Sequence, residues 1–294
     1  MGTPTQRIGK VTIDRVEEQQ LRQVPPGWLF PSSSVAEFEQ ASQRLDVQDV
    51  EANREQLVLS IHTWVVRTPD HLILIDTGAG NDKDRPRNPS FHHSTTPYLD
   101  RLAEAGVNPA DVDYVINTHL HVDHSGWNTV HREGKWVPTF PNARYIFPRR
   151  EQQYWSTEAI RDDTAHSEFV YQDSVLPVIE AGLVDYVESD GGKLLDIFEF
   201  IPTPGHSVGH MSVKIVSDGQ QAIIAGDLMH HPTQVYRPDW NTVFCEYAED
   251  AIASRQRMLD YCADTGAQYF SIHFPGTGSG FVRRDGHGFS WTYA

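Results

Sequence analysis

The stretch Thr118-His-Leu-His-Val-Asp-His-Ser-Gly126 places three histidines and one aspartate within six consecutive positions. It follows directly on Tyr114-Val-Ile-Asn117, whose aromatic and β-branched residues predict a short strand. Imidazole and carboxylate groups are the usual protein ligands of zinc and related divalent cations. The four donors of this stretch are His119, His121, Asp123 and His124. On an extended backbone the first three would share one face and His124 would point elsewhere, so a tight loop is expected to direct the set to two neighbouring metal ions.

Two metal ions need more ligands than four, and further candidates stand where later predicted strands end. They are His206 in Thr203-Pro-Gly-His206, Asp227 in Ala225-Gly-Asp227 and His273 in Ser271-Ile-His273. A single histidine after a strand is more often structural, so each candidate gains weight only together with the others.

The composition restricts the kind of protein and its partners. With 294 residues, of which 39% are hydrophobic and 11% aromatic, the chain can bury a core, and this excludes general disorder. The net charge of −16 disfavours nucleic acid and anionic membrane surfaces as partners. The two cysteines, Cys245 and Cys262, form no CxxC pattern and cannot build a disulfide framework or a zinc knuckle.

The chain shows no sign of a membrane span or of a leader segment. No apolar run approaches the ~20 residues that a spanning helix requires. Residues 1–23 are polar and lack the apolar centre of a signal peptide. We therefore expect a cytoplasmic protein with no membrane partner.

Hydrophobic periodicity predicts a layered α/β fold in a single domain, with strands in two groups and helices between them. Helices are expected from Thr96 to Ala105 and over residues 248–262. Residues 1–55 are expected to form an extension packed on the core, and residues 56–294 the main domain. The predicted strands are Leu57–Val66, His71–Ile75, Tyr114–Asn117, Ala143–Phe147, Ile197–Ile201, Met211–Val216, Gln221–Ala225 and Tyr269–Ile272.

Five motifs in a fixed order resemble those of the metallo-β-lactamase superfamily of dinuclear metallohydrolases. They are LIDTGAG, THLHVDHSG, TPGHSVGH, AGDLMHH and SIHFPG, and the resemblance spans roughly residues 57–275. It implies an αββα sandwich with both metal ions at one edge of the two sheets, and the chain segment before residue 56 is then an N-terminal extension to this fold.

The resemblance also implies how the donors are shared between the ions. His119, His121 and His206 would hold one ion, and Asp123, His124 and His273 the other, with Asp227 bridging them. Asp76 of the first motif would orient ligands without binding metal itself. An Asx turn in Asp76-Thr-Gly is the alternative reading of that residue.

Within the superfamily the chain is most similar to the branch that contains methyl parathion hydrolase and the N-acyl homoserine lactonases. Zinc β-lactamases carry a cysteine at the position of Asp227, so β-lactam turnover is disfavoured. The segments that resemble methyl parathion hydrolase are Gly226-Asp-Leu-Met-His230 and His273-Phe-Pro-Gly-Thr-Gly-Ser-Gly280. The lactonases place a tyrosine three residues after the bridging aspartate, whereas this chain has His230.

The main functional hypothesis is a dinuclear hydrolase that attacks a carboxylic ester or a lactone. Two divalent ions would lower the pKa of a shared water and supply a bridging hydroxide at physiological pH. Zinc suits the donor set best, and manganese, iron and cobalt are the alternatives. Asp123 and Asp227 would take part as ligands, and His230 would donate a hydrogen bond or a proton to the substrate, or else serve in packing.

Alternative activities use the same donors. One is phosphotriester hydrolysis of the methyl parathion hydrolase kind, and another is an oxidative reaction with one iron, as in a persulfide dioxygenase. A metal-stabilised binding protein is disfavoured because all seven ligand positions are present.

The substrate is expected to be a small molecule, because aromatic residues near the predicted site could form an apolar wall for a neutral ester or lactone. These residues are Trp28, Phe30, Trp127 and Phe274, and core packing is the competing fate of each. The resemblance to dimeric members of the branch suggests that the extension packs on a second copy of the chain, giving a homodimer.

Overall fold

Parallel strands with buried side chains on both faces form the centre of the sheet that carries the histidine-rich stretch. A computed structural model describes residues 4–157 and 169–294. In it the sheet has seven strands in the order β1-β2-β3-β4-β5-β8-β9. The strands β4, β5, β8 and β9 run parallel, and β1–β2 and β3–β4 are antiparallel hairpins. Their bounds are β1 Gln6–Ile8, β2 Val11–Val24, β3 Leu57–Arg67, β4 Leu72–Ile75, β5 Tyr114–Ile116, β8 Arg144–Pro148 and β9 Val184–Val187.

A second sheet of seven strands has the order β10-β11-β12-β13-β14-β15-β16. Its strands β11, β12 and β13 alternate in direction, and β14 runs parallel to β13. The bounds are β10 Gly192–Leu194, β11 Phe198–Pro202, β12 Met211–Ser217, β13 Gln220–Ile224, β14 Gln268–Phe270, β15 Ser279–Asp285 and β16 Gly288–Tyr293. A separate hairpin consists of β6 Thr129–Arg132 and β7 Lys135–Pro138.

Helices in the described part of the chain are short, with one exception. Helix α8, Ala248–Thr265, connects the parallel strands β13 and β14 and buries Met258, Leu259 and Cys262. Gly266 caps its C-terminus in a left-handed conformation with a φ of 71°. The helices are α1 Pro26–Leu29, α2 Val35–Ser42, α3 Tyr98–Glu104, α4 Val122–Ser125, α5 Arg149–Trp155, α6 Leu176–Glu180, α7 Thr233–Tyr236 and α8 Ala248–Thr265. No helix of residues 4–157 or 169–294 is both long enough and apolar enough to cross a bilayer.

Contacts between Cα atoms divide the chain into two units. The first unit includes Gln20–Ser60 and Lys193–Ala294, and the second includes Thr5–Gln19 and Ile61–Gly192. The second sheet lies almost entirely in the first unit, and most of the first sheet lies in the second unit.

The mixed α/β class expected from the sequence is confirmed, and each of the eight predicted strands corresponds to a strand of the structure. Helix α2 was not predicted, although Ser34 and Glu37 form a capping box that the pattern Ser-x-x-Glu signals. The expected division into an extension, residues 1–55, and a main domain, residues 56–294, stays a prediction.

Candidate metal centre

The second unit holds the four donors of the histidine-rich stretch in one tight loop. Strand β5 ends three residues before the first of them, and helix α4 begins within the set. The ring centroid of His119 lies 4.5 Å from the ring centroid of His121 and 4.1 Å from the ring centroid of His124. The Asp123 carboxylate lies 3.7 Å from His124 Nε2. The loop therefore brings these four side chains together.

Asp76 contacts this set from the end of the neighbouring strand β4. Its carboxylate accepts hydrogen bonds from the backbone N–H and the hydroxyl of Thr118, each at 2.8 Å. It also lies 2.9 Å from His124 Nδ1. Because the carboxylate is an acceptor, Nδ1 of His124 carries the proton, and Nε2 is the nitrogen available to a cation. These side-chain contacts join Asp76 to the histidine-rich stretch.

The first unit holds a second donor set, which the strand directions assemble. Since β12 is antiparallel to both β11 and β13, and β14 is parallel to β13, the carboxyl ends of β11, β13 and β14 lie at one edge of the sheet. His206, Asp227 and His273 follow these three strands. His206 Nε2 lies 3.1 Å from Asp227 Oδ2, and His273 Nε2 lies 2.9 Å from Asp227 Oδ1.

His230 belongs to the same set. Its Nε2 lies 3.1 Å from Asp227 Oδ2, and its ring is stacked on that of His273 at 5.2 Å with an angle of 6° between the planes. The ligand atoms of Asp227, His230 and His273 all lie within 4.8 Å of one another, and all three side chains are buried. Three imidazoles therefore face one carboxylate within the first unit.

The backbone around Asp227 and His206 is held by residues outside the set of candidate ligands. His210 Nε2 accepts a hydrogen bond from the Asp227 N–H at 2.9 Å, and His210 Nδ1 lies 2.8 Å from Thr203 Oγ1. A side chain at Gly205 would collide with the backbone of Ala251, so glycine is needed for the loop before His206 to approach helix α8. The second histidine of TPGHSVGH was the signal for His210.

The four aromatic residues predicted to line a substrate pocket differ in placement. The ring of Trp28 is 53% exposed and meets Phe244 edge to face at 5.5 Å, and Phe244 lies 5.6 Å from the His230 ring. The other three are buried in hydrophobic clusters: Phe30 beside Trp240, Trp127 stacked on Tyr98, and Phe274 against Tyr269 and Trp291. Core packing is therefore what the structure shows for Phe30, Trp127 and Phe274, because buried rings leave no surface for a ligand.

The donor chemistry of both sets fits divalent transition metals. Neutral imidazole nitrogens and carboxylate oxygens are the ligands that zinc and its neighbours take in proteins, and most of these donors are buried. His273 Nδ1 lies 2.9 Å from the Ser60 carbonyl oxygen, which directs Nε2 of that ring to Asp227.

Residues 57–265 match the metallo-beta-lactamase superfamily, which is most of the chain, and the protein belongs to that superfamily. Its fold is the mixed α/β fold of these proteins. Among characterised relatives, it is 30% identical over 192 residues to the N-acyl homoserine lactonase AttM of Azorhizobium caulinodans, which covers 62% of this chain and 65% of that protein. An N-acyl homoserine lactonase from Bacillus sp is 28% identical over 177 residues, covering 56% of this chain and 61% of the relative. The matched region thus spans somewhat less than two thirds of these relatives.

Solved structures extend the likeness over the whole chain. AidC, described as a dizinc quorum-quenching lactonase in complex with a product N-hexanoyl homoserine, is 25% identical, with a TM-score of 0.80 over 100% of this chain and 97% of that one. The hydrolase AbOPH of the β-lactamase superfamily is 23% identical, with a TM-score of 0.81 over 100% and 97% of the two chains. The latter likeness concerns the fold alone.

Proposed function

We propose that this protein is a dinuclear metal-dependent hydrolase of lactones or carboxylic esters. The observation that carries the proposal is the convergence of His206, His230 and His273 on the Asp227 carboxylate, at 2.9 to 3.1 Å. A buried set of imidazoles and a carboxylate is not explained by packing alone, since burial of polar groups without a compensating partner costs free energy. The superfamily of the chain adds a reason to read it as a metal centre.

Seven residues would hold two cations in this proposal. His119, His121 and His206 would bind one, and Asp123, His124 and His273 the other, with Asp227 shared between them. Support comes from the donor chemistry of each unit, from the Asp76 hydrogen bond that frees His124 Nε2, and from the description of AidC as a dizinc enzyme. Zinc is the first expectation, with manganese, iron and cobalt as alternatives.

When bound, two cations would supply a bridging hydroxide at neutral pH and polarise the carbonyl oxygen of the substrate. The chain's own residues then divide two tasks. The ligands and Asp76 hold the site rigid, so little reorganisation is needed during the reaction. His230 would donate a hydrogen bond to the substrate oxygen, or a proton from Nε2 to the departing alkoxide, because imidazole exchanges protons readily near neutral pH.

The substrate class follows from the relatives and from one exposed aromatic pair. Relatives of this chain are named N-acyl homoserine lactonases. An N-acyl homoserine lactone combines a lactone ring with an apolar acyl chain. In the first unit the edge-to-face pair Trp28 and Phe244 lies next to His230 and offers an apolar contact for such a chain. N-acyl homoserine lactones are therefore the first candidates, although His230 stands where those enzymes carry a tyrosine.

A turnover panel with metal-reconstituted protein tests the proposal. The panel contains N-acyl homoserine lactones, simple lactones, aryl esters and a phosphotriester, and the His121→Ala variant is the control. We expect hydrolysis of a lactone or an ester that His121→Ala loses. Faster turnover of the phosphotriester would support the alternative activity. Absence of hydrolysis of every class, with two cations bound per chain, would contradict the proposal.

Metal analysis separates hydrolysis from oxidative chemistry. Two zinc or mixed cations per chain would support hydrolysis, whereas a single iron per chain with oxidation of a persulfide would support the dioxygenase alternative. His230→Ala at unchanged metal content should lower kcat, and unchanged kinetics would remove the proton-donor role. A homodimer and a cytoplasmic location stay predictions, of which sedimentation velocity tests the first.

A further inference from the structure

A buried carboxylate on strand β2 accepts hydrogen bonds from three segments, two of which contact the histidine-rich stretch. Glu18 is only 1% exposed. It accepts from the backbone N–H groups of Ala79 at 2.6 Å and Gly80 at 3.1 Å, from Trp127 Nε1 at 2.7 Å and from Thr96 Oγ1 at 3.3 Å. All of these partners belong to the second unit. Nothing in the sequence pattern singles out this residue.

The two anchored segments are the loop of residues 76–80, which begins with Asp76, and the turn that contains Trp127, directly after the histidine-rich stretch. Backbone hydrogen bonds also join these segments to each other. They run from Thr77 N–H to the His124 carbonyl at 2.7 Å, from Gly126 N–H to the Gly78 carbonyl at 2.8 Å, and from Trp127 N–H to the Thr77 carbonyl at 3.0 Å. Glu18 thus contacts one end of a network of backbone hydrogen bonds, and the other end of this network is the backbone of the candidate ligand His124.

The two segments that this network joins are closely packed against each other. A Cβ atom at Gly126 would lie 1.9 Å from the Ala79 carbonyl oxygen, and one at Gly78 would lie 2.3 Å from Glu18 Oε2. Such close approach means that a shift of the loop tip must displace the turn after the stretch. Asp76 itself has a φ of 54°, a left-handed conformation that the surrounding hydrogen bonds must maintain.

We propose that Glu18 is a positioning residue, which holds Asp76 so that His124 keeps Nε2 directed to a cation. The inference rests on the proposed function only in so far as that function requires metal binding. Glu18 touches no candidate ligand side chain through its carboxylate. It acts through the loop of residues 76–80 and the Asp76 hydrogen bond to His124 Nδ1, which measures 2.9 Å.

The chemistry of the contact requires an acceptor on both oxygens. Burial raises the pKa of Glu18, and the hydrogen bonds from Ala79, Trp127, Gly80 and Thr96 act in the opposite direction. An amide in its place would present an N–H group to donors of the loop or the indole, and donors cannot satisfy each other. Aspartate would keep two acceptors but reach less far.

The test is titration of the apo protein with Co²⁺, followed by its visible absorption, in wild type, Glu18→Gln and Glu18→Asp. The matched control is Asp49→Asn, which also changes a buried carboxylate to an amide, in the first unit, where Asp49 accepts from Asp46 N–H at 2.8 Å. We expect Glu18→Gln to weaken one of two cation affinities by about 10-fold and leave the other unchanged, in the range typical of residues that orient ligands. Glu18→Asp should restore part of the loss, and Asp49→Asn should bind both cations as the wild type does.

Thermal unfolding and the Trp127 indole proton resonance of each apo variant show whether the fold survives. If Glu18→Gln fails to fold, the comparison of Glu18→Asp with Asp49→Asn decides. Equal loss of both affinities, no loss, or the same selective loss in Asp49→Asn would overturn the inference, because a general loss of stability explains those results. A wild type that binds two cations but hydrolyses nothing would refute the proposed function and leave Glu18 testable. A wild type that binds none would refute both.

Discussion

The two units of this protein present their candidate metal ligands in opposite ways. In the second unit four donors occupy six consecutive positions, and one loop with a short helix is enough to bring them together. In the first unit His206, Asp227 and His273 follow three different strands, and only the order and direction of those strands make them neighbours. A local set depends on loop geometry, whereas a dispersed set depends on the register of a whole sheet.

The Asp227 carboxylate is the centre of the dispersed set. Three imidazole Nε2 atoms of the first unit lie within 3.1 Å of Asp227 oxygens. In the second unit the Asp123 carboxylate lies 3.7 Å from His124 Nε2. Removal of one carboxylate should therefore damage the first unit's set more than the second unit's.

The largest effect is expected from Asp227→Asn. The amide removes the charge that faces three imidazoles, so cation binding and turnover should both fail. We expect kcat/KM for the best substrate to fall about 10³-fold, or about 4 kcal/mol of barrier, with fewer than two cations per chain by metal analysis. The paired variant Asp123→Asn should lose one cation and less activity. A larger loss in Asp123→Asn than in Asp227→Asn would reverse the comparison.

The stability of the first unit should respond to pH through two buried groups in contact. His231 Nε2 donates to the Asp49 carbonyl oxygen at 2.8 Å. Burial lowers the pKa of His231 from 6.5 to about 4 and raises the pKa of the Asp49 carboxyl from 3.8 to about 6. Between pH 4 and pH 6 the folded state therefore binds fewer protons than the unfolded state at His231 and more at Asp49, so the two contributions oppose each other.

Single variants should separate these contributions. With Asp49→Asn only the histidine remains, and the free energy of unfolding should fall by about 3 kcal/mol as the pH falls from 6.5 to 4. With His231→Gln only the carboxyl remains, and stability should fall by a similar amount as the pH rises from 3.8 to 6. Urea unfolding at a series of pH values, compared with the wild type, measures both trends. Parallel pH profiles for the two variants would show that these groups do not titrate as their burial indicates.

Asp76→Asn tests how far the orientation of His124 depends on a residue outside the histidine-rich stretch. The amide replaces a carboxylate that accepts three hydrogen bonds, and its N–H group cannot accept the proton of His124 Nδ1. We expect the affinity for one cation to fall 10–100-fold, measured by competition with a chelator. Wild-type affinity in this variant would mean that the loop alone orients His124.

The smallest effect is expected from Trp28→Ala, which alters a half-exposed ring beside the first unit's set. The preference for long over short acyl chains, taken as a ratio of kcat/KM values, should fall about fivefold, because only part of the ring area is available to bury a chain. Phe30→Leu serves as control, since Phe30 is buried against Trp240 and should leave the ratio unchanged. An unchanged ratio in Trp28→Ala would remove the apolar contact from the proposal.

Much of the strand pattern follows from local sequence, because buried strands are short apolar runs bounded by turn residues. Thus Leu57–Val66 and Met211–Val216 are predicted within a residue or so of β3 and β12. The sequence does not reveal which aromatic rings are buried. The sequence predicts the same pocket role for Trp127 and Trp28, yet Trp127 is 3% exposed and Trp28 is 53% exposed. The difference arises because burial depends on neighbours that are distant along the chain.

By itself the sequence determined the superfamily and the mixed α/β class, and it supplied the candidate donors, because these depend on residue types at short spacing or on motif order. Only the tertiary structure decided that His230 joins the Asp227 set, that Glu18 anchors the loop of Asp76, and that Phe30 and Phe274 are core residues. Those facts depend on which strands are neighbours and in which direction they run, and hydrogen bonds between distant segments form only after the sheets have assembled.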